Sequence, residues 1–426
     1  MTRMHPTPHR LIPPALLPIL GFVAALVAAP AARSTEWSIT PAVSLQELYN
    51  DNILLTPVPG PAVTGTILSP SVDVSAQQEA WNLSGTAQWQ STRYGGHSDL
   101  NTNNQYLNLQ SNYQTLRSTW ALTGTYAKES VLTGTSYVAD VGLVHTQVER
   151  ITRTLSPTWT WIVTPNVNLQ LSYQYDGAGY LKAATAGLFN YSQNAVNVQL
   201  SDQVTPRNQI IGSVGYSYFK VPVLQFAQEY DKSNTSTAMI GLNHQFSNTL
   251  TGSLSVGAQG TRSAERQCNP FILAYFGQCY AETAFSKNSG TIYNATLTKQ
   301  FERNTVNLAF GRSISPSGAG TQVLIDSSTL GDNWQISPRL LGLASVNAYR
   351  IRAVGTSVTE LNRDYYGAST ELRWEWTRNL KVSAQYQYIW VKYDSGGPGS
   401  NNMIPAKSSS VYLTLKYSWP YLTLSR

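Results

Sequence analysis

From about residue 36 onward, apolar and polar residues alternate with a period of two in one segment after another. That period marks strands whose two faces meet different surroundings. The clearest case lies near the C-terminus. There Val411, Leu413, Leu415, Tyr417 and Trp419 share one face, against Tyr412, Thr414, Lys416 and Ser418 on the other. The preceding segment sets Leu380, Val382, Ala384, Tyr386, Tyr388 and Trp390 against Lys381, Ser383, Gln385 and Gln387. Between Val167 and Tyr175, apolar positions alternate with Asn168, Gln170, Ser172 and Gln174.

The connections between these segments alternate in length. Tight turns are predicted at Gln77–Ala80, Thr115–Arg117, Thr164–Asn166, Thr205–Arg207, Ser247–Thr249, Glu302–Asn304, Gly331–Asn333 and Thr377–Asn379. Longer loops are predicted near 50–64, 95–103, 129–145, 176–190, 220–233, 261–288, 315–320, 352–364 and 394–407. Together they join about 18 strands, with both chain ends on the short-turn side. The expected fold is therefore all-β, a transmembrane antiparallel up-and-down β-barrel spanning 36–426. The segments 320–330 and 339–351 are weakly patterned, so 16 strands also fit.

Tryptophans test this layout. Trp37, Trp81, Trp120, Trp159, Trp161, Trp334, Trp374, Trp376 and Trp419 fall at the short-turn ends. Trp89 and Trp390 fall at the loop ends, with Tyr94, Tyr126, Tyr175, Tyr218 and Tyr393. Rings at two levels are what the two interfaces of a membrane select.

Composition narrows the setting. Only 12% of the 426 residues are charged, about half the usual share of a soluble protein. Mean hydropathy is −0.21, too polar for a bundle of membrane helices. At the N-terminus, Arg3 and Arg10 precede an apolar stretch to Ala29, and Ala29-Pro30-Ala31 offers a cleavage site. Residues 1–31 read as a secretory signal peptide. The outer membrane of a bacterium is the expected location, with lipid as partner and both termini periplasmic. The mature chain keeps a small, dispersed positive excess, which gives no reason to expect a nucleic-acid partner. Cys268 and Cys279 share one expected loop in an oxidising compartment, which favours a local disulfide. No further Cys or His stands nearby, so no metal is expected there, and nothing calls for a cofactor.

Short motifs carry a family resemblance. Thr40-Pro41-Ala42-Val43-Ser44 leading to Tyr49-Asn50-Asp51-Asn52, Leu68-Ser69-Pro70, and Leu155-Ser156-Pro157-Thr158-Trp159 resemble the beta-barrel porin 2 family of outer-membrane proteins. Members often accompany exopolysaccharide gene clusters. The resemblance implies an outer-membrane port for an exported polysaccharide, working with a periplasmic polysaccharide-export protein. The chain departs from the usual barrel ending, because it runs seven residues past Trp419 to Arg426.

Candidate chemistry is sparse. His97, His145 and His244 stand apart from any nucleophile, so no catalytic grouping is evident and an enzyme is not expected. Glu371, Arg373 and Glu375 alternate with apolar residues and are expected in the lumen, as are Lys381, Lys416, Asp73 and Asp326. They fit either a selective constriction or ion pairs that fill a barrel wall. Tyr106 and Tyr412 join Ser, Thr, Asn and Gln on the same face, a lining suited to sugars and to any hydrated pore. The apolar stretch between the cysteines suits a plug in the barrel mouth, or a self-packed external loop. Asn50-Asp51-Asn52 reads as a turn rather than a calcium site. The function expected from all this is passage of a solute across the outer membrane. An uptake porin and a non-conducting structural barrel are the rivals.

Overall fold

The computed structural model describes residues 35–131, 147–181, 188–221, 228–268, 275, 281–354, 362–394 and 403–425. Its strands are β1 Glu36–Asn50, β2 Val63–Gln77, β3 Trp81–Tyr94, β4 Thr102–Gln114, β5 Ser118–Ser130, β6 Glu149–Ile162, β7 Val167–Leu181, β8 Tyr191–Thr205 and β9 Asn208–Val221. They continue as β10 Gln228–Ser247, β11 Leu250–Cys268, β12 Ala281–Gln300, β13 Asn304–Pro316, β14 Gln322–Ser337, β15 Leu340–Ala353, β16 Arg363–Glu375, β17 Leu380–Asp394, β18 Met403–Ser418 and β19 Leu422–Ser425. From β1 to β18 each strand pairs with its sequence neighbour, and β18 returns antiparallel to β1 from Ala42↔Ser418 to Asn50↔Ser410. The sheet therefore closes on itself as a barrel of 18 staves. No helix among the described residues is long and apolar enough to cross a membrane.

The last stave is broken rather than ended at Trp419. Pro420 has no amide hydrogen to give to a ladder, so pairing lapses there. Trp419 N–H still donates to the Pro41 carbonyl at 3.0 Å. The chain then resumes as β19, pairing Ile39↔Leu422 through Glu36↔Ser425. The residues beyond Trp419 thus complete the edge of β1. Two other prolines mark ladder gaps. β2–β3 pairing skips from Leu68↔Ser91 to Ser71↔Gln88 around Pro70, and β6–β7 pairing skips from Leu155↔Tyr175 to Thr158↔Ser172 around Pro157. Both sit in the Leu-Ser-Pro motifs, where proline withholds its bond from one neighbour only.

One expected turn is wrong. Gly331, Asp332 and Asn333 lie within β14, paired with Asn307, Val306 and Thr305 on one side and Ser345, Ala344 and Leu343 on the other. The real turn is Pro338-Arg339. Pro338 ends the ladder, and the Arg339 amide donates to Ser337 Oγ at 3.4 Å. The loop expected at 261–288 is also shorter than thought. Pairing of β11 with β12 continues to Cys268↔Ala281, which makes a long hairpin. The expected Cys268–Cys279 disulfide, the apolar stretch between these cysteines (apart from Tyr275) and the signal peptide lie outside the described residues.

Outward positions are apolar and exposed, as at Val214, Ile240, Leu254, Val346, Leu372 and Leu413. At the short-turn end this belt is bounded by stacked indoles, with Trp120–Trp159 at 5.6 Å and Trp374–Trp376 at 5.7 Å. At the loop end Tyr366 stacks on Trp390 at 5.2 Å. An exposed apolar wall between two aromatic girdles is a lipid-facing surface, and the chain is an outer-membrane β-barrel. Tyr94 is a correction to the expected girdle. It shares the inward parity of Gly65, its partner on β2, and is buried.

Deleting residues 422–426 should leave the start of β1 unpaired at the seam. The truncated barrel is expected to lose its heat-modifiable electrophoretic mobility at a lower temperature than the full chain. An unchanged transition would show that β19 contributes nothing to closure.

Candidate functional site

Ladder register places the inward face of every strand. Near the short turns that face is charged and open to water. Glu371, Arg373 and Glu375 point inward from β16, Lys381 from β17 and Lys416 from β18, as expected. Arg373 clasps Glu371 with bonds of 3.0–3.2 Å, and Lys381 Nζ lies 2.5 Å from Glu375 Oε1. Lys416, opposite Lys381, has no carboxylate partner among the described residues. Asp73 also faces inward, where Thr86 Oγ1 donates to it at 2.7 Å. Ion pairing therefore accounts for four of these charges and leaves one excess cation on this side of the wall.

Asp326 is the exception. It lies opposite Arg312 and Arg350, with the outward residues Phe310, Leu330 and Val346 in the same parity. It faces away from the lumen and accepts from Arg312 Nε at 2.5 Å and Nη2 at 2.9 Å. Its inward neighbours are Val323 and Ile325, both buried.

Further toward the loops, side chains converge from one contiguous arc of the wall, β17 round to β6. Tyr106 on β4 donates to Glu129 Oε2 at 3.3 Å, and Arg150 Nη2 on β6 lies 2.5 Å from Glu129 Oε1. This pair is largely buried. Around it a cavity of about 280 Å³ is lined by Tyr94, Tyr106 and Tyr412 together with Gln46, Gln90 and Ser410. Thr92 Oγ1 is buried in the wall with no partner among the described residues. Tyr106 and Tyr412 were expected here, whereas Glu129 and Arg150 were missed. Their signal was strand parity, since Glu129 continues the Thr123, Thr125, Ala127 row and Arg150 continues Thr152 and Thr154.

The loop end departs from the expected polar lumen. Inward positions there are packed, some apolar, with Phe219 and Val221 at 0% exposure, and others buried but polar, such as Ser233, Thr235, Thr261 and Ser410. Wall residues of a wide barrel reach that burial only when something covers them. Among the described residues, three inward-turned segments do much of this. In the first, Asn50 Oδ1 accepts from the Asn52 amide at 2.7 Å, and Asn52 Nδ2 donates to the Thr56 and Lys407 carbonyls. That turn sets Ile53 against Leu48, Ile67, Tyr94 and Tyr412, and Leu55 against Tyr365, Ile389 and Val391. In the second, Leu188 and Phe189 pack on Tyr180, Tyr191, Phe219 and Val221. In the third, Ala319 packs against Val323, Ile325 and Ile351. The second and third segments join through Phe189 N–H to the Gly318 carbonyl at 2.6 Å, a bond linking the loops before β8 and before β14. Tyr349 packs against both the Val323–Ile351 cluster and the Tyr365–Val391 cluster, so the apolar patches of β14–β15 and β16–β17 meet.

No protein-family model and no curated protein matches the chain. Among solved structures it is similar to the outer membrane channel DcaP of Acinetobacter baumannii, with 10% identity, TM-score 0.46, and 91% of this chain and 99% of that chain covered. It is also similar to the ferric citrate transporter FecA in the unliganded form, with 9% identity, TM-score 0.46, and coverage of 91% and 79%. A third is OccK5 (OpdH) of Pseudomonas aeruginosa, with 9% identity, TM-score 0.42, and coverage of 91% and 98%. The barrel architecture follows from the closed ladders themselves, not from these likenesses.

Two outcomes are expected. Arg150→Ala strands a buried carboxylate and should cost about 3 kcal/mol, with much of it recovered in Glu129→Gln/Arg150→Met. Urea midpoints of the refolded barrel check this, and an unchanged midpoint for Arg150→Ala would contradict it. At Gly318 an added Cβ would sit 2.5 Å from Tyr180 Oη and 3.1 Å from Leu188 Cδ2. Gly318→Leu should therefore lift the segment off and let large antibiotics in. A severalfold drop in the inhibitory concentration of vancomycin is expected, and no change would contradict the closure.

Proposed function

We propose that this barrel is an outer-membrane passage for an exported polysaccharide, closed at its loop end by this packed layer when at rest. The observation that carries the reading is the cavity directly beneath that layer. Tyrosines offer flat apolar faces with a polar edge, and amide and hydroxyl groups stand beside them. Sugars present the matching surfaces, apolar ring faces and a rim of hydroxyls. Weak, repeated contacts of this kind let a polymer enter and leave again. The short-turn mouth is hydrated, and its charges are mostly paired, which leaves a path without a strong trap.

Export rather than uptake, and a periplasmic export partner, rest on the resemblance of the Leu-Ser-Pro and Tyr-Asn-Asp-Asn motifs. The resting closure fits an export port, since a channel that opens only with its cargo or partner keeps the membrane sealed. A general uptake porin has less use for a packed mouth.

The test is surface and secreted polysaccharide in a deletion strain that has no second barrel of this type. Loss of polymer, restored by the intact gene, is the expected result. Unchanged polymer would overturn export and transfer the same pore to uptake of a small solute.

A further inference from the structure

On the outer wall near the loop end, five neighbouring strands present one row of charge. Arg312 on β13 lies opposite Asp326 on β14, which lies opposite Arg350 on β15; Arg350 lies opposite Asp364 on β16, and Asp364 lies opposite Lys392 on β17. Arg352 joins from the next outward position of β15, its Nη2 3.0 Å from Asp364 Oδ1. All six residues point away from the lumen. The next outward pair toward the membrane is Tyr366↔Trp390, one of the girdle contacts, so the row lies at the edge of the lipid belt.

An ion-pair ladder sealed on itself would have matching charges. This one has four cations for two carboxylates. Asp364 is well covered, with 13% of its side chain exposed, while Arg350 keeps 59% exposed beside it. Arg352 also donates from Nη1 to the Ile351 and Arg363 carbonyls, which anchors it, while Arg350 is held by Asp364 through Nε alone and keeps its outer donors toward the surface. Lys392 Nζ rests 4.6 Å from the Trp390 ring centroid and Arg312 lies 5.7 Å from that of Tyr293, which fixes both ends of the row. Rigid guanidinium groups at headgroup depth suit phosphate, which they bind through paired hydrogen bonds.

We propose that this row is a binding site for the phosphorylated glucosamine headgroup of lipopolysaccharide. The loop end faces outward in the reading above, and the proposal rests on that orientation but not on the cargo. Glycolipid phosphates of the outer leaflet would span Arg312, Arg350 and Arg352, with acyl chains lying along Phe310, Leu330 and Val346. Anionic phospholipid is the competing ligand, and it would occupy the same row if the loop end faced the inner leaflet.

The full barrel, purified in mild detergent from lipopolysaccharide-bearing cells, should carry the glycolipid with it. Arg350→Ala/Arg352→Ala should retain at least about tenfold less by mass spectrometry. Lys299→Ala, a charge loss at the opposite end of the outer wall, should retain the wild-type amount. A second measurement needs no variant. In nanodiscs, the melting temperature of the unaltered barrel should rise with bis-phosphorylated lipid A and not with its dephosphorylated form. Equal retention by the double variant would overturn the site. So would equal stabilisation by the dephosphorylated lipid, or stronger stabilisation by phosphatidylglycerol. None of these outcomes touches the polysaccharide assay, so the two readings fail separately.

Discussion

The backbone sets the terms of this structure. In hydrocarbon an unpaired amide or carbonyl has no water to turn to and costs several kcal/mol, so a strand-built protein must close its sheet. Closure here depends on the meeting of β1 with β18 and β19. The same rule governs where proline is tolerated. Pro338 sits in a turn and Pro420 at a break in the last stave, while Pro70 and Pro157 each interrupt pairing with one neighbour. The Leu-Ser-Pro motifs that carry the family resemblance are therefore also local features of the ladder.

Once the wall is closed, side-chain polarity divides the lumen along its axis. Near the short turns, hydroxyls, amides and paired charges face water. Near the loops, inward positions are packed, with apolar clusters beside buried hydroxyls and amides, and segments that fold back from the wall cover them. Between these zones lies the tyrosine-lined cavity, with the Glu129–Arg150 pair at its side. On the proposed reading, these zones would give one pore a hydrated mouth, a weakly binding middle and a packed closure at the loop end.

That division explains what was legible in the sequence. Where the interior is wet, alternation located the strands and placed Asp73, Glu371, Arg373, Glu375, Lys381 and Lys416 on the correct face. Tyr106 and Tyr412 were also found, because polar neighbours flank them in parity. At the loop end the rule inverts. Val323 and Ile325 face inward and are apolar, so Asp326, in the opposite parity, points outward although a polar residue there is expected in the lumen. Gly331-Asp332-Asn333 has turn chemistry, but the pairing available on both sides holds it in a strand, and Pro338 supplies the stop instead. Glu129 falls in the loop expected at 129–145, although β5 continues to Ser130, and Arg150 sits at the start of β6, one residue after Glu149. The cross-lumen bond between Phe189 and Gly318 joins residues far apart in the chain, and no local pattern announces it.

The most direct test of a barrel closed by its own packed layer is steady ion conductance of the unaltered protein in a planar bilayer. The account predicts a barrel that inserts, is folded by electrophoretic mobility, and passes almost no steady current in the absence of cargo or partner. A large, stable conductance from the unaltered barrel, of the size an open 18-stranded pore would carry, would contradict it.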